Sequence, residues 1–326
     1  MANGKTLEEY NAVKNNVGLF DFSIEGKIIV KGPGRIDFIN GLVSNDVENL
    51  ENFNGCYAAF LDKNGKVLSD CIVYKFDDFL LINLSVIGRS NIIGKLKNEA
   101  VLGKSEAEDA TLKHALFSLQ GPKSEELVNG LFQSKIQLEK PYQTIVINSD
   151  ELNIIITKNS RTKEEGYDIY VPASHYKEFK ELLINNGKDF GLKTINNEAY
   201  NILRIEAGIP LFGIDFDANN ILPEVSERAV SYEKGCYVGQ EIVARVRNIA
   251  KGVTSKKLVF LEIEGSEIPQ KNDKIMKGNN EAGFVTSAAF SPKFGKVIAF
   301  GFVRKGFYDY GTTAAVNNAE ATIKEQ

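Results

Sequence analysis

The run Lys234-Gly235-Cys236-Tyr237-Val238-Gly239-Gln240-Glu241, followed by Arg245, sets a thiol and an aromatic ring between two glycines. It then opens a segment that reads as a short helix, Gln240 to Arg247. Glycine adopts left-handed backbone angles without steric cost and carries no side chain, so this backbone can turn sharply or approach another group closely. A cysteine so placed is expected on a turn near a helix N-terminus, where partial positive charge favours a thiolate. The run therefore reads as a site, or at least as an unusual turn.

Downstream of it, from Lys256, the texture is all-β: Lys257 to Ile263, Lys274 to Met276, Ala282 to Ala288, Lys296 to Val303 and Thr312 to Val316. Gly-, Pro- and Asn-containing turns separate these short strands, which suggests a small barrel or sandwich beginning near Ala250 to Thr254. Upstream, Asn197 to Glu206 reads as a helix stopped by Gly208 and Pro210. Further back, strands at Thr144 to Ile147, Ile154 to Lys158 and Tyr167 to Val171 precede a helix from Ser174 to Asn185. The N-terminal part offers a helix at Leu7 to Val17 and a hairpin, Gly55 to Leu61 with Val67 to Phe76, turned at Asp62-Lys63-Asn64-Gly65. A strand at Phe79 to Leu84 and a helix at Gly88 to Lys97 follow the hairpin. A strand, a Gly-Pro corner and an amphipathic helix occur twice, at Ile28 to Pro33 and at Leu116 to Pro122, which suggests an internally duplicated α+β body.

At 326 residues, with 43% hydrophobic and 25% charged residues, the chain has the balance of a soluble globular protein of two or three domains. The expected division is 1–111, 112–250 (interleaving with the first and carrying the glycine-flanked motif) and 251–326. No apolar stretch reaches bilayer length, and Met1 to Tyr10 lacks a basic-then-apolar leader pattern, so a cytoplasmic protein without membrane contact is expected. A net charge of −4 gives no general attraction to nucleic acid. Cys56, Cys71 and Cys236 form no CxxC pair, and His114 and His175 lie in no recognisable motif. Neither a metal site, a disulfide framework nor a His-centred triad is expected from them.

The glycine-flanked motif resembles the signature of the YgfZ-type folate-binding proteins, relatives of the glycine cleavage system T-protein, an aminomethyltransferase. Gly18-Leu19-Phe20-Asp21-Phe22-Ser23, Ser44-Asn45-Asp46-Val47 and Gly65-Lys66-Val67-Leu68-Ser69-Asp70 resemble the N-terminal half of both groups. Leu119-Gln120-Gly121-Pro122 and Arg204 to Pro210 resemble the middle, and Gly283 to Ser287 with Ser291-Pro292 the C-terminal barrel. The resemblance implies a T-protein-like α+β fold, with subdomains around a central opening for tetrahydrofolate and a small C-terminal β-barrel. For the YgfZ group it also implies a part in making or repairing iron–sulfur enzymes, including those that modify tRNA, with such enzymes or their assembly factors as partners.

The named residues carry alternatives. Cys236 is either a buried apolar filler or a working thiol in redox chemistry or in contact with a cluster or partner. Lys234 either meets solvent, lowers the thiol pKa or meets the anionic tail of a folate. Tyr237 either packs or stacks on a ligand ring. Gln240 and Glu241 cap the helix or touch ligand, and Glu241 with Arg245 has the spacing of a surface ion pair. By resemblance, Asp70 falls where the T-protein has the aspartate beside the reactive folate nitrogens, and Glu164 on a glutamate that pairs with the pterin. Lys163 and Lys158-Asn159-Ser160 depart from that segment's pattern. Arg204 and Glu206 read as organisers of a helix end. Three functions follow: a tetrahydrofolate-binding accessory protein for iron–sulfur enzymes with Cys236 at work, a folate-dependent aminomethyltransferase using Asp70, or a binding module without folate.

Overall fold

Each of the two Gly-Pro corners begins a helix that packs on its own sheet. The computed structural model describes residues 4–148 and 152–325; residues 1–3, at the head of the segment read for a leader, lie outside these. The first part of the chain runs α1 (Gly4–Asn15), β1 (Gly18–Asp21), β2 (Gly26–Lys31), α2 (Arg35–Asn40), β3 (Asn54–Leu61), β4 (Val67–Lys75), β5 (Phe79–Leu84), α3 (Val86–Ala100) and β6 (Glu106–Asp109). The second runs β7 (His114–Gln120), α4 (Ser124–Phe132), β8 (Thr144–Asn148), β9 (Asn153–Lys158), β10 (Gly166–Pro172), α5 (Tyr176–Gly187), β11 (Lys193–Thr194) and α6 (Asn197–Glu206). After α7 (Leu222–Val225) and α8 (Gln240–Asn248) come β12 (Lys256–Ile263), β13 (Lys274–Lys277), β14 (Asn280–Ser291), β15 (Lys296–Arg304), β16 (Thr313–Val316) and β17 (Ala319–Lys324).

The first sheet has the order β3-β4-β5-β2-β6 and the second β11-β1-β7-β10-β9-β8. β1 precedes β2 in the chain yet pairs with β7, Gly18 opposite Gln120, so the two sheets exchange strands along the sequence. Of the two repeated units, β2–α2 builds the first sheet and β7–α4 the second. Gly121 has φ +130°, and a Cβ there would stand 2.4 Å from the Asn16 carbonyl oxygen, so this corner admits glycine alone. On the first sheet's outer face Ile28, Val30, Leu80 and Ile82 pack against Ile92 and Leu96 of α3; each such burial stabilises the fold by about 2 kcal/mol. Ser85 caps α3, its hydroxyl accepting from Gly88 N–H at 3.0 Å, and moves the start of this helix ahead of the expected Gly88. On the second sheet, Leu127 and Val128 of α4 and Phe179 and Leu183 of α5 cover Phe117, Ile156 and Ile169.

The remaining faces of the two sheets meet through Tyr74, Phe76, Leu81, Leu116 and Tyr170. The C-terminal strands close into a barrel in the order β12-β15-β14-β13-β16-β17. Alternation along β12 and β15 serves two cores. Leu261, Ile263, Val297 and Ala299 belong to the cluster within the barrel, whereas Leu258, Phe260, Phe300 and Phe302 share a cluster with Tyr10 and Val13 of α1 and Ile202 and Leu203 of α6. The barrel is thus welded to the body by the aromatic side of its own strands.

Candidate active site

Where the two sheets, α6 and the barrel converge they leave a cavity of about 1130 Å³. Asp70 lines it from β4. In the register set by the β3–β4 hairpin, Asp70 stands opposite Ala59 and Tyr57 opposite Ile72, so Tyr57 and Asp70 are diagonal neighbours on one face. The Tyr57 hydroxyl donates to Asp70 Oδ2 at 2.9 Å. Burial pushes the Asp70 carboxyl up to about 6, against the opposing pull of the Tyr57 hydrogen bond and with a contribution from the negative charge of Glu25. Burial and the neighbouring Asp70 charge in turn hold the Tyr57 phenol well above its ordinary range.

A second wall is built on Arg161. Its guanidinium donates to Glu25 through Nη1 (2.9 Å) and Nη2 (3.0 Å) and to Asp168 through Nε (3.0 Å) and Nη2 (2.8 Å), and it lies 4.2 Å from the centre of the Phe22 ring. Asn83 donates to Glu25 at 3.1 Å. The backbone of Arg161 is fixed by Gln120, whose side chain accepts from Arg161 N–H at 2.8 Å. Arg204, also on the lining, is fully buried and ion-paired with Asp215. It donates to Asn201 as well, at 2.7 Å, while Asp215 accepts from Thr286 of β14 at 3.0 Å, so the pair fastens α6 to the barrel.

Of the residues expected to touch ligand or work chemically, Asp70 alone lines the cavity, joined there by Arg204, which was expected only to organise a helix end. Glu164 pairs with Lys14 of α1, and in its loop it is Arg161 that faces the cavity. Lys234 is buried and donates to the carbonyls of Asn40, Val43 (2.8 Å) and Asn45 (2.8 Å); burial lowers its ammonium to about 8, and it meets neither solvent nor the cavity. Tyr237 packs as a buried ring 5.1 Å from that ammonium. Cys236 is exposed, outside the cavity lining. Gln240 opens α8, its N–H donating to the Tyr237 carbonyl at 3.2 Å, and Glu241 and Arg245 form an exposed ion pair at 2.9 Å. Among the described residues no group of three His, Cys, Asp or Glu side chains could hold a metal ion.

Gly239 explains the second glycine of the motif. It has φ +84°, and a Cβ there would lie 2.6 Å from the Asp62 carbonyl oxygen in the β3–β4 turn. Gly239→Ala is expected to destabilise the protein by about 2 kcal/mol or more, read from urea unfolding; an unchanged midpoint would show that the clasp on the hairpin is loose.

The comparisons with known proteins agree with this architecture. Residues 2–232 match the GCVT N-terminal domain, and residues 256–324 the glycine cleavage T-protein C-terminal barrel domain. The chain belongs to the glycine cleavage T-protein family. An aminomethyltransferase of Caldanaerobacter subterraneus is 31% identical over 316 residues, covering 95% of this chain and 83% of the relative. One of Thermotoga maritima is 30% identical over 306 residues, covering 92% and 81%. The crystal structure of glycine cleavage system aminomethyltransferase T from Bartonella henselae superposes with a TM-score of 0.89, covering 98% of this chain and 88% of that one at 21% identity, a likeness of fold. In this T-protein family member the cavity wall holds Asp70, which the sequence singled out, together with Tyr57, Glu25 and Arg161, which it did not. Tyr57 carried no local signal, since a register shift between Phe60 and Leu61, beyond the Asp62-to-Gly65 turn, is what puts it on the face of Asp70. Glu25 and Arg161 carried none, being 136 residues apart.

Proposed function

We propose that the chain transfers a one-carbon unit from an aminomethyl donor to tetrahydrofolate, with the cavity as the folate site and Asp70 as the carboxylate beside the reacting atoms. One observation carries this reading: a carboxylate buried enough to titrate near 6, aimed by a tyrosine, on the wall of a cavity of about 1130 Å³. The residues present fit a reduced folate. The volume accommodates a ligand larger than most drugs, Tyr57, Tyr142 and Tyr200 offer ring surface, and Asp70 and Glu25 offer acceptors for ring N–H donors. Bound there, tetrahydrofolate supplies the nitrogens that accept the one-carbon unit. Asp70 balances positive charge developing next to it, an effect stronger in this partly enclosed site than in water. Tyr57 holds the carboxylate in one orientation. Arg161 neutralises Glu25 and Asp168 on the cavity wall.

Titration with tetrahydrofolate, read by tyrosine emission in a chain with 12 tyrosines and no tryptophan, is expected to saturate. A response without saturation sinks the folate reading.

The exposed Cys236 favours a second reading, in which the same folate-binding body supports iron–sulfur enzymes through this thiol. Its exposure on a loop fastened at Lys234 and Gly239 sets it apart from the structural cysteine Cys71, which is buried. Cys236→Ala is expected to leave folding and folate binding within error and to fail in supporting a cluster-dependent tRNA-modifying enzyme. Full support by the variant removes this reading.

A further inference from the structure

We infer that Lys234, the first residue of the glycine-flanked motif, is a positioning residue for the cavity's carboxylate, acting on Asp70 through Asn45 and Tyr57. The catalytic consequence rests on the proposed transfer reading; the structural link does not.

The Lys234 ammonium has three N–H donors and meets three backbone carbonyls, those of Asn40, Val43 and Asn45. A buried ammonium is costly unless its donors are met, so the segment 40–45 is held to the shape that meets them. The rest of the motif region reinforces this grip. Val238 N–H donates to the Gly41 carbonyl at 3.1 Å, Ser231 N–H donates to the Ser44 carbonyl at 3.0 Å, and the Ser44 hydroxyl donates to the Ala229 carbonyl. The segment so held lies along β3. Ser44 N–H donates to the Ala59 carbonyl and the Ser44 hydroxyl accepts from Ala59 N–H, both at 2.9 Å, and Val43 bridges Phe60. Asn45 donates through its amide to the Tyr57 carbonyl at 2.8 Å, while its oxygen accepts from Asp46 N–H at 2.9 Å. Tyr57 then donates to Asp70 at 2.9 Å. A lysine 189 residues from Asn45 in sequence thereby fixes the strand whose tyrosine aims the cavity carboxylate.

Hydrogen bonds weaken steeply as their angle departs from linear, so releasing β3 at Asn45 weakens the Tyr57 bond to the ionised Asp70. The other charge facing Asp70 is Glu25, and its partner Arg161 belongs to a different loop that these contacts do not touch. Asn40, Asn45 and Lys234 form no part of the cavity lining.

The test is a carboxyl carbon-13 NMR titration of aspartate-labelled protein, following Asp70 in the wild type, Lys234→Met, Asn45→Ala, Tyr57→Phe and the Lys234→Met/Tyr57→Phe double variant. Each single change is expected to raise the Asp70 midpoint by on the order of half a pH unit, because each weakens a hydrogen bond to the charged form. The double variant is expected to match Tyr57→Phe alone, since the two act along one path. A purely structural lysine gives additive loss of stability without that coincidence. Asn45→Ala breaks the middle link and serves if Lys234→Met does not fold. Wild-type midpoints in both Lys234→Met and Asn45→Ala overturn the inference. The expected shifts in a protein that transfers nothing uphold the link and defeat the functional reading.

Discussion

Asp70→Asn is expected to abolish aminomethyl transfer, by on the order of a thousandfold in kcat, while stabilising the protein at neutral pH. Asparagine keeps the shape and still accepts from Tyr57, so tetrahydrofolate binding changes little; what is removed is the negative charge needed only as positive charge develops. The stability gain follows from the direction of the pKa change. Burial raises the folded carboxyl from 3.8 to about 6, so folding favours the neutral acid. The stability this group contributes is fully present below about pH 4 and is lost as pH rises through 6. At pH 7 the wild type therefore carries a penalty of at most about 3 kcal/mol that the variant lacks. Urea unfolding at pH 4 and pH 7 checks this, with a difference between the chains that opens only at the higher pH. In the wild type kcat is expected to fall on the acid side with a midpoint near 6. An Asp70→Asn enzyme that turns over at the wild-type rate refutes the assignment of this carboxylate.

The largest loss of stability is expected from Asp215→Ala. Both Arg204 and Asp215 are fully buried, and removing the carboxylate strands a guanidinium whose remaining partners are Asn201 and the Ile209 carbonyl. Leaving one buried charge uncompensated costs about 3–5 kcal/mol. The same change frees Thr286 and Ser287 of β14 and the Leu211 N–H, so the fastening between α6 and the barrel goes with it. The double variant Arg204→Met/Asp215→Leu, which removes both charges and refills the volume, is expected to be more stable than Asp215→Ala. Denaturant midpoints decide, and a single variant that loses less than about 1 kcal/mol rules out this role for the pair.

The helices and strands were legible wherever a local pattern carried them. The hairpin around Asp62 to Gly65, both Gly-Pro corners and the run of short C-terminal strands all stand where the sequence puts them, because turn chemistry and alternation act over a few residues. Of the strands, β1, β6, β11 and β17 went unread. β1, β6 and β11 are four residues long or shorter, and β17, though it alternates apolar with polar residues, offers only two alanines and one isoleucine; they are strands because neighbours supply their hydrogen bonds. Of the site, Asp70 was reachable through the resemblance alone, as was Glu164, which stands outside the cavity lining and pairs with Lys14 on α1.

Lys234 marks the division most sharply. The chain's local pattern determined that a turn, a glycine kink at Gly239 and a helix follow this residue, since backbone preference is a property of each glycine and its neighbours. Only tertiary structure decided that its ammonium faces three carbonyls from some 190 residues earlier, buried and outside the cavity lining. It likewise decided that the sulfur two positions on stays outside while Arg161 and Glu25, far apart in the chain, meet at the cavity. Desolvation and charge pairing depend on which distant segments arrive together, and no window of sequence contains both partners.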